Sequence, residues 1–169
     1  MAIIYIGLGS NLAQPVVQLQ TAVHTLIHQT ECRFLQLSPL YRSVAIGPKQ
    51  ADYYNAVAKL STDLNPYDTL AYLQTLESQQ GRVRNVRWGE RTLDLDLLSY
   101  DDVVMDDPQL TLPHPQIQFR HFVVFPLCDI APDLELPGLG RVVQLKSALS
   151  SEGIWSWPYG PRRPANMKG

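Results

Sequence analysis

The chain reads as an α+β sandwich, and three observations point there. Its elements run strand, helix, two strands, helix, strand. The strand "TLDLDLLSY" alternates cleanly, and the two long helices open on proline and carry single apolar stripes. Pairs of strands separated by helices favour sheet-on-helix layering, and 169 residues in this order do not make a doubly wound fold.

"IIYIGLG", residues 3–9, is a buried first strand ending in glycines. Pro15 opens a helix whose apolar face is Val16, Leu19, Val23, Leu26 and Ile27, running to about Thr30. "RFLQLSPLYRS" is strand-like, but Pro39 removes a donor and implies an edge strand or a bulge. "VAIGPKQADYY" is a loop, and "NAVAKLST" is the next strand. Asn65 caps the second helix, with Pro66 at its first position and Asp68 near its third amide. Tyr67, Leu70, Leu73 and Leu76 make its stripe, and Gly81 stops it. "TLDLDLLSY" alternates as a strand, "DDVVMDD" holds a short strand, and "HFVVFPLCDIAP" a short helix. One domain is expected over 1–160, with a flexible tail at 161–169; the whole run "SWPYGPRRPANMKG" reads as loose.

Hydrophobic residues make up 45% of the chain and charged residues 18%, enough to build a core and too apolar for disorder. A net charge of -2 excludes a global basic footprint for nucleic acid, so any anion site must be local. Cys32 and Cys128 are far apart, form no metal spacing and read as buried free thiols in a reducing compartment. The start "MAIIYIGLGSN" lacks a basic segment and a long apolar run, so a cytoplasmic protein without membrane segments is expected.

The chemistry concentrates in "GRVRNVRWGERTLDLDLLSY", residues 81–100. On a strand, Asp94 and Asp96 share one face, with Cα atoms roughly 6.6 Å apart, while Leu93, Leu95 and Leu97 face the core. Paired carboxylates suit magnesium, which would keep water or substrate phosphate as its other ligands. A solvated strand face is the plainer reading of D-x-D. Arg82, Arg84, Arg87 and Arg91 shift the balance, because guanidinium forks bind phosphate oxygens in two parallel bonds. Pairing with Glu90 and the two aspartates still leaves local positive excess. Trp88 either anchors this loop in the core or covers a planar ligand. "GLGSN" is not a G-x-G-x-x-G fingerprint and no Walker lysine is present, so a bound nucleotide would be held by metal and arginine.

These residues, together with "YIGLGSNL", "DYYNAV", "RWGERTLDLDLL", "LTLPHP" and "RHFVVFPLCDIAPD", resemble the 6-hydroxymethyl-7,8-dihydropterin pyrophosphokinase family through about residue 140. The resemblance implies a ferredoxin-like core with an antiparallel sheet and additional C-terminal elements. It also implies transfer of pyrophosphate from ATP to the pterin hydroxymethyl group, releasing AMP. On this chain, Asp94 and Asp96 would hold two magnesium ions, and Arg82 and Arg91 would assist transfer. Gln74, Glu77, Arg84, Arg87, Thr111, His114 and Arg120 would line the nucleotide. Ser43, Val44, Ile46, Tyr53, Asn55, Trp88 and Phe122 would form the pterin site, with Tyr53 and Phe122 stacking on the ring. Core packing is the alternative for those two aromatics, and satisfaction of loop backbone groups the alternative for His114. Asn85 and Pro115 depart from the family pattern and are expected to alter nucleotide contacts, not the chemistry.

The expected reaction is in-line attack of the pterin hydroxyl on the β-phosphorus, driven by positioning and charge stabilisation. The expected partners are ATP and the pterin, with no nucleic acid and no membrane, and a monomer is expected. Three rivals remain at this point: a nucleic-acid-binding ferredoxin-like module, a non-catalytic ligand-binding domain and a metal-dependent phosphohydrolase.

Overall fold

A computed structural model describes residues 1–12, 14–45, 50–81, 93–158 and 160. The first strand, β1 (Ala2–Ser10), leads into helix α1 (Pro15–His28), with proline at its start as expected. The run interrupted by Pro39 becomes two strands, β2 (Cys32–Leu37) and β3 (Tyr41–Ser43). Both pair antiparallel with one long neighbour, β4 (Tyr53–Thr62), from Cys32 opposite Thr62 to Ser43 opposite Tyr53. Of the two alternatives at Pro39, the edge strand fits β2, which pairs only with β4; the register slip lies earlier, between Phe34 and Gln36, and at Pro39 the chain simply breaks between strands. At the break beside Pro39, Ser38 bridges the gap. Its backbone N–H donates to the Val57 carbonyl at 2.9 Å, and its Oγ accepts from the Val57 N–H at 2.8 Å.

Helix α2 (Pro66–Gln79) starts where its cap predicts, the Asn65 side chain accepting from the Asp68 N–H at 2.8 Å. Gly81 adopts φ +86°, the left-handed conformation that closes a helix at low cost to glycine. Strand β5 (Asp94–Tyr100) pairs with β1, so the sheet runs β10-β3-β4-β1-β5, with β2 also on β4. Here β10 is Ile154–Ser156. The hairpin β6 (Met105–Asp106) and β7 (Thr111–Leu112) precedes a 3-10 turn at Ile117–Phe119 and helix α3 (His121–Ile130). The hairpin β8 (Glu135–Leu136) and β9 (Gly140–Arg141) and helix α4 (Val142–Ser147) complete the C-terminal elements. The core order β1-α1-β2/β3-β4-α2-β5 with an antiparallel sheet is the ferredoxin-like arrangement the sequence implied.

The sheet has two unlike faces. On one, Ile4, Ile6 and Leu8 of β1, Leu93 just before β5, and Leu95 and Leu97 of β5 pack with Leu19, Ala22 and Leu26 of α1 and Leu73 and Leu76 of α2. Ala22 takes the place expected for Ile27, which is exposed. On the other, Tyr5, Val57 and Leu98 pack under Val123, Val124 and Leu127 of α3. Cys32 and Cys128 are free and buried. The run read as loose from Ser156 onward is a correction. Ser156 pairs with Tyr41, and the Trp157 N–H donates to the Leu40 carbonyl at 2.8 Å, because β3 offers an edge for β10 to complete. Residues 161–169 lie outside the described residues.

Candidate active site

The candidate site lies on the second face, where β5, β1 and β4 bring Asp94, Gly9 and Asn55 side by side. Strand alternation turns Asp94 and Asp96 onto it, both half-buried, while Leu95 and Leu97 point into the opposite core. Across the ladder, Gly9 stands opposite Asp94 and Gly7 opposite Asp96. On their other side the same glycines face Asn55 and Val57 of β4. Glycine therefore floors the strip between the carboxylates and Asn55.

At Gly9 that choice is sterically enforced. A Cβ there would lie 2.7 Å from Asn55 Nδ2, so the Asn55 amide occupies the space a side chain would fill. Asn55 is 8% exposed, and its Oδ1 is buried without a hydrogen-bond partner among the described residues. A buried amide oxygen left unpaired costs roughly 1–3 kcal/mol, which a ligand N–H or O–H would recover. Carboxylates, a floor without side chains and an unsatisfied amide oxygen together fit a polar planar ligand beside a hard cation.

Around this floor, Ser43 is buried opposite Tyr53 on the neighbouring strand, and the Val44 N–H donates to the Gly153 carbonyl at 2.9 Å. Tyr53 is half-buried and, by alternation, shares the face of Asn55. Phe122, at the start of α3, packs against the cluster containing Val57, with the Arg120 guanidinium 5.8 Å from its ring centre.

His114 sits along the open edge of β5, its N–H donating to the Leu98 carbonyl at 2.8 Å. Burial, with the nearby Arg120 charge, pushes its imidazole down to about 4. The Gln116 N–H donates to His114 Nδ1 at 3.2 Å. The ring is thus neutral at pH 7, and the hydrogen bond assigns its proton to Nε2. One nitrogen satisfies a loop amide, as the plainer reading held, and the other keeps its N–H. Thr111 lies on β7, the strand leading into this segment.

Gln74 and Glu77 are three residues apart on α2 but differ in environment. Glu77 is buried beside Leu73 and Leu76, whereas Gln74 is exposed. Their helix packs on the leucine face of the sheet through Leu73 and Leu76. Ile46, Arg82, Arg84, Arg87, Trp88 and Arg91 lie outside the described residues. Sequence reasoning missed the role of the glycines in "GLGSN", whose signal was their period of two against D-x-D.

A ferredoxin-like sheet with acidic side chains opposite glycine on its α3 side suits a class of proteins that hold a small polar ligand on a strand surface. The family is settled by comparison: the model described as 7,8-dihydro-6-hydroxymethylpterin-pyrophosphokinase (HPPK) matches residues 5–132, and the chain belongs to that family. It is 46% identical over 156 residues to the 2-amino-4-hydroxy-6-hydroxymethyldihydropteridine pyrophosphokinase of Pseudomonas aeruginosa, covering 92% of this chain and 96% of that one. The protein of the same description from Haemophilus influenzae is 46% identical over 142 residues, covering 83% and 89%. The fold is similar to the HPPK-DHPS of Plasmodium falciparum crystallised with pteroate, at TM-score 0.70 and 14% identity. That similarity covers 87% of this chain and 42% of the longer one.

Proposed function

We infer that this chain transfers the pyrophosphoryl group of ATP to 6-hydroxymethyl-7,8-dihydropterin, yielding the pterin pyrophosphate and AMP in folate biosynthesis. Family membership supports the reaction, and the placement of Asp94 and Asp96 opposite Gly9 and Gly7 is the observation that carries it. The pterin hydroxyl oxygen forms a bond to the β-phosphorus of ATP, the bond from that phosphorus to the α,β-bridging oxygen breaks, and the hydroxyl proton is lost to solvent.

Asp94 and Asp96 would hold magnesium, two ions with ATP, whose remaining ligands would be phosphate oxygens and water. Bound there, the metal supplies neutralisation of phosphate charge and orientation of the reacting oxygens. Asn55 would pair its unsatisfied Oδ1 with a ring N–H of the pterin. Tyr53 and Phe122 would flank the heterocycle, with Ser43, Val44, Ile46 and Trp88 completing its surroundings. Neutral His114 would donate from Nε2 toward the nucleotide, and Arg120 would add positive charge beside it. Thr111, Gln74, Glu77, Arg84 and Arg87 would complete the nucleotide side. Arg82 and Arg91 would stabilise charge on the transferring phosphates. We further propose a cytoplasmic monomer with one domain over 1–160 and no nucleic-acid partner. Among the described residues no helix is long and apolar enough to cross a membrane.

The test is incubation with Mg-ATP and 6-hydroxymethyl-7,8-dihydropterin, with AMP and pterin pyrophosphate quantified by chromatography. Equal amounts of both, dependent on pterin and on magnesium, are expected. ADP in place of AMP, or phosphate release without acceptor, would overturn the reaction.

A further inference from the structure

The chain leaves the sheet after Ser43 and re-enters it at Tyr53, and both legs of this excursion are anchored by residues outside the site itself. The return leg is held by Asn11, at the end of β1, whose Nδ2 donates to Gln50 Oε1 at 2.9 Å and to the Ala51 carbonyl at 3.1 Å. The two legs are tied to each other at their base. Arg42 Nε lies 3.6 Å from Asp52 Oδ2, and the side chains are only 14% and 7% exposed, so this ion pair is shielded from water. The outgoing leg is held by the C-terminal strand, where Ile154 pairs with Ser43 and the Gly153 carbonyl accepts from the Val44 N–H.

On that strand Trp155 stands opposite Arg42, with the guanidinium carbon 5.1 Å from the indole centre. Gly160 lies over the same pair. A Cβ there would come within 2.6 Å of Arg42 Nη2 and 3.0 Å of Trp155 Cγ, so only glycine fits at this closeness. Arg42 is therefore fixed on one side by an aspartate and on the other by an indole. By alternation along β3, Arg42 points to the sheet face opposite Ser43. This assembly sits behind the pterin surface and touches it through backbone.

We infer that Trp155, Arg42 and Asp52 are positioning residues for pterin recognition, and that the C-terminal strand is a working part of the pterin site. The inference rests on the reading above that Ser43, Val44, Tyr53 and Asn55 line that site. Trp155 lies outside residues 5–132, the segment the family model matches. The physical logic is that Ser43 and Tyr53 face each other across a ladder whose register is set at its base. Loosening Arg42 there lets two walls of the site move against each other, and small misplacement at a recognition surface weakens binding with little effect on chemistry elsewhere.

The experiment measures the pterin Kd by calorimetry and the KM and kcat for both substrates in wild type, Trp155→Ala, Trp155→Phe, Asp52→Asn and the double variant Trp155→Ala/Asp52→Asn. Trp155→Ala is expected to weaken pterin binding about fivefold to tenfold, the scale of a shielded cation–π contact, with kcat and the ATP KM within about twofold of wild type. Trp155→Phe keeps a ring face and is expected to recover most of the loss. Because Trp155 and Asp52 both act through Arg42, the double variant should lose less than the sum of the single losses. An unchanged pterin Kd in Trp155→Ala, or pterin and ATP KM values rising in step, would overturn the inference while leaving the reaction intact. A wild type that does not bind the pterin would overturn the underlying reading and this inference with it.

Discussion

The two faces of the central sheet are cut from the same strands and serve opposite ends. At the start of β5, Leu93, Leu95 and Leu97, the first just ahead of the strand, sink into a core closed by α1 and α2, while Asp94 and Asp96, each one residue away, stay half-buried on the other side. Along β1, Ile4, Ile6 and Leu8 alternate with Tyr5, Gly7 and Gly9. The apolar face makes the backbone rigid, and the polar face spends that rigidity on holding two carboxylates and an amide at fixed separations. On the proposed reading, stability and function are separable by a single step along the chain.

Adjacent substitutions on β5 give the sharpest break in that comparison. Asp96→Ala should lower kcat/KM about a thousandfold or more, ~4 kcal/mol in the transition state, with its far-ultraviolet circular dichroism and melting temperature near wild type. Retained turnover would remove Asp96 from the chemistry. Leu95→Ala, one residue earlier, should do the reverse. Emptying this buried position costs about 3 kcal/mol and lowers Tm by about 10 °C, yet activity per folded molecule should persist. Loss of activity without loss of stability in Leu95→Ala would mean that the two faces are not independent.

His114 tests the comparison at the sheet's edge. Its folded pKa of about 4 lies below the ordinary 6.5, so between these values the unfolded chain binds the extra proton. This contribution to stability is fully present above about pH 6.5 and is lost as pH falls toward 4. Allowing for partial exposure, the loss is about 2 kcal/mol. His121 is lowered by burial in the same direction, so the difference between wild type and His114→Gln isolates His114. The variant should show a flatter acid limb in urea unfolding followed from pH 7.5 to 4.5. Parallel limbs would contradict the neutral, half-buried imidazole.

How much of this was legible in sequence follows from what is local. Caps and breaks were readable because one residue determines each: Asn65 with Pro66, Pro15, Pro39 and Gly81 all act where they stand. The shared face of Asp94 and Asp96 followed from strand period alone. The difference between Gln74 and Glu77 was not readable, since spacing of three places two residues on one flank of a helix without saying which of them is turned inward. The order in the C-terminal run was hidden too. "SWPYG" has the composition of a loose segment, and only the exposed edge of β3, over a hundred residues earlier, gives it a partner. Gly7 and Gly9 were visible as glycines, but their reason lies across two ladders in Asn55 and the aspartates.

Those two glycines carry the smallest and most discriminating test. A Cβ at Gly7 would meet Leu98 Cδ2 at 3.6 Å and Asp96 Cβ at 3.9 Å, ordinary contact distances, so Gly7→Ala should leave stability close to wild type and raise the pterin KM far less than Gly9→Ala does. A Cβ at Gly9 would stand 2.7 Å from Asn55 Nδ2, which is too close, and the amide must swing away. Because the displaced atom ends a side chain, stability should fall by less than about 1 kcal/mol. The pterin KM should nevertheless rise about tenfold, the scale of one misplaced hydrogen bond in a recognition site. Steady-state kinetics on the two variants decide it: equal pterin KM values would mean that Asn55 does not need the space over Gly9, and a far larger rise in Gly9→Ala would tie the glycine in β1 to the amide in β4.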